Sequence, residues 1–155
     1  MRIAFDLDDT LIPCGHVFDL EPPTRRARWL GCEPLRKGTV ELFRHLRARG
    51  WDVWVYTTSQ RSPWSVRLQF WAYGLRLGGV VNQDRHVRCL RGGRPDHRDC
   101  SKYPPAFRVD LLVDDSEGTL LEGKRYRFRV LWVRPDDAGW ADAVREEVAR
   151  WRPAR

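Results

Sequence analysis

The stretch Ile3-Ala4-Phe5-Asp6-Leu7-Asp8-Asp9-Thr10 is a short apolar run that breaks into three carboxylates within four positions. Too few residues precede it for a helix, so it reads as a strand buried on both faces, with Asp6, Asp8 and Asp9 at its C-terminal end. In open parallel sheets that end is where ligands bind. Carboxylates crowded there repel, by ~4 kcal/mol for a pair ~4 Å apart at an effective dielectric near ~20, unless a cation or a shared proton relieves them. A hard divalent ion such as Mg2+ offers that relief. The spacing also divides the labour: Asp6 points into the site as a nucleophile, and Asp8, beyond the strand end, reaches the same space to handle protons. An acidic turn capping a strand is the plainer reading of the same residues, and the rest of the chain decides between the two.

Four further apolar runs follow. Val53–Tyr56 is parallel to the first by the right-handed crossover rule and ends in Thr57, Thr58, Ser59, Gln60 and Arg61. Hydroxyls at a strand tip, with the backbone N–H groups after them, can donate to the oxygens of a phosphoryl group without adding charge. The alternative is a Ser/Thr-rich turn capping the next helix, roughly Pro63 to Tyr73, which buries Trp64, Leu68 and Trp71; Ser62 is a second candidate for that cap. Val80 and Val81 form a third strand, Val109 to Val113 a fourth that delivers Asp114 and Asp115 at its end, and Arg129 to Val133 a fifth. Between them, Thr39 to Arg49 is an amphipathic helix stopped by Gly50, with Arg44, Arg47 and Arg49 on its solvated face. A terminal helix over about 137–151 packs Trp140, Val144, Val148 and Trp151 on the core. The expected architecture is a single α/β domain over 1–155, a Rossmann-like open parallel sheet of about five strands flanked by helices.

Lys102, in Ser101-Lys102-Tyr103-Pro104-Pro105, is one of only three lysines in the chain and stands between the third and fourth strands. A compact ammonium there would lower the repulsion between an anionic Asp6 and a phosphate dianion. Taken in order, Asp6-Leu7-Asp8-Asp9-Thr10, Thr57, Lys102 and the Asp114-Asp115 pair resemble the four motifs of the haloacid dehalogenase-like superfamily, and the likeness covers about residues 1–135. That family's last motif is either spaced or adjacent acids; Thr119 holds the later acid's place, so this chain has the adjacent form.

The resemblance implies a Mg2+-dependent phosphatase that hydrolyses a phosphomonoester through an aspartyl-phosphate. Asp6 would be the nucleophile and Asp8 the general acid and base; Asp8 would have to start protonated, which neighbouring carboxylates would favour. Thr57, Thr58 and Lys102 would hold the transferring oxygens. The metal would take Asp6, the backbone carbonyl of Asp8 and Asp115, with Asp114 behind them and paired to Lys102. Pro13, Gly15 and the Val17-Phe18 pair suggest a tight turn and short hairpin, the family's flap, in a region of about 11–34, and Glu21 to Pro34 reads as loop or short helix. No segment is long enough for a cap, so the site should be open, taking a lid from a partner or second subunit and admitting a phosphate on something large.

The Asn82 to Pro105 stretch is basic and Gly-rich, with no clear period. His86, Cys89, His97 and Cys100 within it form two His-x-x-Cys pairs that would close a tetrahedral zinc site, or are polar loop residues of no such role. Capless heptose bisphosphate phosphatases in the resembling superfamily carry a zinc loop at this place, with a different Cys/His pattern. The net charge of +7 and pI near 9.7 come almost entirely from arginine. They read either as a field for anionic partners or as compositional bias. With Arg25, Arg26, Arg28 and Arg61 near the mouth and Arg88, Arg91, Arg94 and Arg98 on the later loop, a phosphorylated nucleic-acid end stands beside a small sugar or metabolite phosphate as substrate. The reading from another class is a basic module that binds nucleic acid or phosphoprotein through a non-catalytic pocket. Met1 and Arg2 lead straight into the first strand and no run approaches membrane-spanning length, so a cytoplasmic protein with no membrane partner is expected, its four cysteines reduced.

Overall fold

The computed structural model describes residues 1–91 and 100–151. Its centre is an open sheet of five parallel strands in the order β3-β2-β1-β4-β5. The strands are β1 (Arg2–Phe5), β2 (Asp52–Tyr56), β3 (Gly79–Val81), β4 (Leu111–Asp114) and β5 (Val130–Trp132). The helices are α1 (Arg25–Trp29), α2 (Thr39–Ala48), α3 (Pro63–Ala72), α4 (Gln83–Arg91), α5 (Glu117–Tyr126) and α6 (Trp140–Ala149). This is the α/β, Rossmann-like architecture expected from the chain.

Successive strand residues point to opposite faces, and each face has its own core. Ile3, Phe5, Val53, Val55, Leu111 and Val113 pack with Leu42, Phe43 and Leu46 of α2, Val66 and Phe70 of α3, and Trp140, Val144 and Val148 of α6. Ala4, Trp54, Tyr56 and Leu112 face the other way, towards Phe107 and Phe128. Because both faces are covered, the strands read as unbroken apolar runs. On the second face α5 approaches β5 so closely that a Cβ at Gly123 would stand 2.8 Å from Val130 Cγ2 and 2.9 Å from the Phe128 carbonyl oxygen. Glycine is what lets the helix sit there.

The register puts the polar strand ends side by side. Phe5 lies opposite Val55 on one flank and Val113 on the other, so Asp6, Tyr56 and Asp114 each come one residue later at the same edge. The chain winds outward from β1 through β2 to β3, then crosses back to β4 on β1's other side. The edge between β1 and β4 is therefore the switch point at which α/β sheets bind ligands.

Three expectations are corrected. No hairpin follows Thr10: residues 7–12 close a tight turn in which the Leu11 and Ile12 N–H groups donate to the Leu7 carbonyl at 2.9 Å each, and Leu20 makes only an isolated bridge to Arg36. The basic stretch after β3 does not dissolve at once. Asn82 caps it, its Oδ1 accepting the Arg85 N–H at 3.1 Å, and α4 buries His86 and Leu90 one turn apart. A single buried pair in an arginine-rich segment is too thin a stripe to announce a helix by periodicity. Lastly, α3 is rotated from the face expected. It buries Val66, Gln69, Phe70 and Ala72, with Phe70 stacked on Phe43, and leaves Trp64 and Trp71 exposed.

Candidate active site at the ends of β1 and β4

Asp6 extends the β1 ladder by one residue, its N–H donating to the Val113 carbonyl at 2.8 Å. That bond fixes the carboxylate at the edge, beside Asp114, which ends β4 and is fully buried. Lys102, only 4% exposed, lies between them with Nζ 2.6 Å from Asp6 Oδ1 and 2.6 Å from Asp114 Oδ2. Asp114 Oδ1 accepts the Ser116 N–H at 2.9 Å, so both of its oxygens are engaged. Asp115 turns the other way, its Oδ1 accepting the Thr10 hydroxyl at 2.7 Å.

Asp6, Asp114 and Asp115 can each offer an oxygen with all three atoms within 4.8 Å of one another, the one such carboxylate, His or Cys group among the described residues. Three carboxylates against one ammonium leave an excess of negative charge, and hard oxygen donors with that excess suit Mg2+. Burial pushes the Asp6 carboxyl up to about 7; Lys102 pulls it back and Asp114 adds to the push. Burial works against the Lys102 ammonium, yet Asp6 and Asp114 outweigh it and raise its pKa. Asp115 is raised by burial, with the Thr10 hydroxyl opposing.

On the β2 side the groups are wetter. Asp8 sits just past the strand, and its neighbour is a cation where carboxylates were expected: Arg61 Nη2 lies 3.2 Å from Asp8 Oδ1. Arg61 is held in turn by both oxygens of Glu33. Thr57 is buried at the end of β2, where its Oγ1 accepts the Ser59 N–H at 3.0 Å and meets the Ser59 hydroxyl at 3.1 Å. Thr58 is exposed and borders a cavity of about 620 Å³ with Gln83, His86, Val87 and Leu90. Asp9 does not join the site. It adopts a left-handed backbone (φ 60°), and its Oδ1 accepts the N–H groups of Cys14, Gly15 and His16 at 2.8–2.9 Å. Burial works upward on this carboxyl, but those donors overcome it and hold it at about 2.

The zinc reading falls partly outside the described residues, where His97 lies with Arg94 and Arg98, and no His/Cys group that could hold a metal occurs among the described ones. Both His86 nitrogens are in use: Nδ1 meets the Tyr56 hydroxyl at 2.5 Å, and Nε2 meets the Cys100 carbonyl oxygen at 3.1 Å. Cys89 faces solvent. A carbonyl only accepts, so Nε2 carries the hydrogen and Nδ1 accepts from Tyr56. The Tyr56 oxygen then accepts the Tyr103 N–H at 2.9 Å.

That chain shows what the sequence reading missed, the supports of the site. Lys102 is pinned from both sides: Tyr103 to β2 through Tyr56, and Ser101 to α5 through its N–H and hydroxyl on the Glu122 carboxylate at 2.8–3.1 Å. Arg36 is another, a buried guanidinium donating to the carbonyls of Arg134, Pro135 and Asp137 at 2.7–3.0 Å and reaching the Thr10 carbonyl at 3.4 Å. In the sequence these are a tyrosine inside an apolar run and arginines among many, and no spacing marks them out.

The fold and site thus define an α/β protein with an acidic triad, two of its carboxylates buried and one half-buried, and an enclosed lysine at its switch-point edge. No family model and no curated protein matches the chain. No helix among the described residues is long and apolar enough to cross a membrane.

Proposed function

We propose that the chain is a divalent-metal-dependent phosphomonoester hydrolase of the haloacid dehalogenase-like type, with Asp6 as nucleophile. The observation that carries this is the Lys102 ammonium locked between Asp6 and Asp114, with Asp115 completing a triad that can offer three oxygens within 4.8 Å. A lysine buried on a nucleophilic carboxylate suits a substrate that is itself an anion.

Asp6 and Asp115, with the Asp8 carbonyl, would hold the metal, and Asp114 would keep Lys102 in place behind them. Bound there, a hard dication supplies the positive charge that lets a phosphate dianion approach three carboxylates. The Asp6 carboxylate attacks phosphorus in line. The Asp6–phosphorus bond forms, the ester bond breaks, and its electron pair leaves on the alcohol oxygen, which takes a proton from Asp8. Water then attacks phosphorus, gives its proton to Asp8, and frees Asp6 as a carboxylate. Lys102 and the Thr57 turn stabilise the transferring oxygens. Arg61 lies on Asp8 in the resting site, and an arriving phosphate competes for that guanidinium. Once the guanidinium has moved to the phosphate, Asp8 takes up a proton from solvent and then serves as the acid.

The test is hydrolysis of an aryl phosphate with Mg2+, with chelator, and with Asp6→Asn. Turnover should require both metal and Asp6, and Asp6→Asn should lose about 10³-fold or more, since the other two carboxylates of the triad are engaged, Asp114 by Lys102 and the Ser116 N–H and Asp115 by the Thr10 hydroxyl. Metal-loaded, folded protein that turns over neither aryl nor oligonucleotide phosphates would leave the pocket as a binding site and sink the catalytic reading.

A further inference from the structure

Helices α1 and α3 present an aromatic, basic face beside the mouth of the site. Trp64 is 70% exposed and Trp71 46%, and the two stand seven residues apart on α3, so they share one side of the helix with half-buried Leu68 between. Their Cα positions are about 10 Å apart along the axis. Trp29, at the end of α1, is 84% exposed. The two helices are in contact: the Thr24 hydroxyl donates to the Ala72 carbonyl at 2.6 Å, and the Arg26 guanidinium lies 4.9 Å from the centre of the Trp71 ring. The stripe starts at the site, because Arg61, on Asp8, comes three residues before Trp64.

Large exposed apolar side chains in a row ask for a partner, and the charge around them says which. Helices α1 (RRARW) and α3 (PWSVRLQFWA) together hold four arginines, Arg25, Arg26, Arg28 and Arg67, and no acidic residue. All four are exposed; Arg67 is engaged by the Leu77 and Gly78 carbonyls, while Arg25, Arg26 and Arg28 face solvent. Glu33, in the loop after α1, is occupied by Arg61. A protein partner would have to cover this run of uncompensated guanidinium groups as well as the rings. A polyanion with flat apolar groups answers both at once.

We propose that the α1–α3 face is a track for single-stranded nucleic acid, with bases stacking on Trp64 and Trp71 and backbone phosphates on Arg25, Arg26 and Arg28. About 10 Å of helix spans roughly three nucleotides at the ~3.4 Å spacing of a stacked strand. The strand leads towards Arg61, so the group it delivers to Asp6 is a terminal phosphomonoester. What Asp6 then does with it rests on the phosphatase reading; the track does not.

The experiment is a titration of the tryptophan fluorescence with a single-stranded oligothymidylate 12-mer, phosphorylated or unphosphorylated at its end, in chelator so that nothing turns over. Quenching is expected with both oligonucleotides, with log affinity falling linearly in log salt at a slope of about −0.7 per phosphate neutralised, near −2 for three arginines. Trp64→Ala with Trp71→Ala should weaken binding by about 10-fold or more per ring, and Arg25→Gln with Arg28→Gln should flatten the salt slope. Urea unfolding of each variant shows that it is folded. Absence of binding, or binding unchanged in the folded tryptophan variant, overturns the track. So does a wild-type dimer in sedimentation that the tryptophan variant dissociates, because the face is then an interface between proteins. Wild-type aryl phosphate turnover, read alongside, separates the two proposals: turnover without oligonucleotide binding removes only the track, and binding without turnover on any ester removes only the chemistry.

Discussion

The two flanks of Asp6 are built on opposite principles. Towards β4, Lys102 and Asp114 are buried and each polar atom faces a fixed partner at 2.6–2.9 Å. Towards β2, Asp8, Arg61 and Glu33 are partly exposed and pair through long side chains, and Thr58 stands in solvent. Where water is excluded, charge pairs have one good arrangement and little freedom to leave it. Where water enters, the same kinds of pair are weak and exchangeable. On the proposed hydrolase reading, the dry flank suits the parts that must not move during chemistry, and the wet flank the parts that must let a substrate in.

The largest expected effect comes from removing the cation on the dry side. Lys102→Met leaves Asp6 and Asp114 buried without their shared counter-charge, which should cost about 3–5 kcal/mol in urea unfolding of metal-free protein. Arg61→Met, which breaks an ion-pair chain of similar chemistry on the wet side, should cost about 1 kcal/mol or less. Comparable losses in the two variants would mean that the flanks do not differ as described.

A smaller effect sharpens the comparison through pH. Burial holds the His86 pKa below its ordinary 6.5, against the upward pull of the Cys100 carbonyl and Glu122. The folded state keeps this histidine neutral between Tyr56 and Cys100, while the unfolded chain takes up a proton below about pH 6.5. The bridge's contribution is thus full above that pH and is lost as pH falls through the lower folded value. Wild type should lose stability relative to His86→Phe on going from pH 7.5 to pH 5. At neutral pH the variant should be weaker by about 2 kcal/mol, since it takes from the buried Tyr56 hydroxyl the acceptor it meets on His86. A stability gap that stays constant with pH would show that His86 is not held neutral.

What the sequence showed and what it hid divide along similar lines. The strands were legible because sheets covered on both faces force unbroken apolar runs, and the polar residues that stop those runs, Asp6, Thr57, Asp114 and Asp115, mark one edge once the strands are parallel. Lys102 stood out by its rarity and by its place in order between the third and fourth strands. The supports could not be read: the Tyr56 hydroxyl, His86, Glu122 and Arg36 act through contacts far apart in the chain, and no local period records them. Arg61 was placed near the mouth, but its seat on Asp8 depends on Glu33 reaching back from another loop.

The smallest expected effect bears on the one helix whose orientation was misread. In α3 the apolar residues fall on two opposite sides, Trp64, Leu68 and Trp71 on one and Val66 and Phe70 on the other, so periodicity cannot choose a face. The neighbouring α2 and the loop before it choose it, since Phe70 stacks flat on Phe43 at 5.6 Å between centroids and Gln69 donates back to the Glu33 carbonyl. Had Trp64 been a core residue, truncating it would cost about 3–5 kcal/mol. Exposed as it is, Trp64→Ala should shift urea unfolding by no more than about 0.5 kcal/mol. A small measured cost would keep Trp64 on the surface, where the proposed track needs it. A cost of several kcal/mol would return Trp64 to the core, and with it the face on which the nucleic-acid track depends.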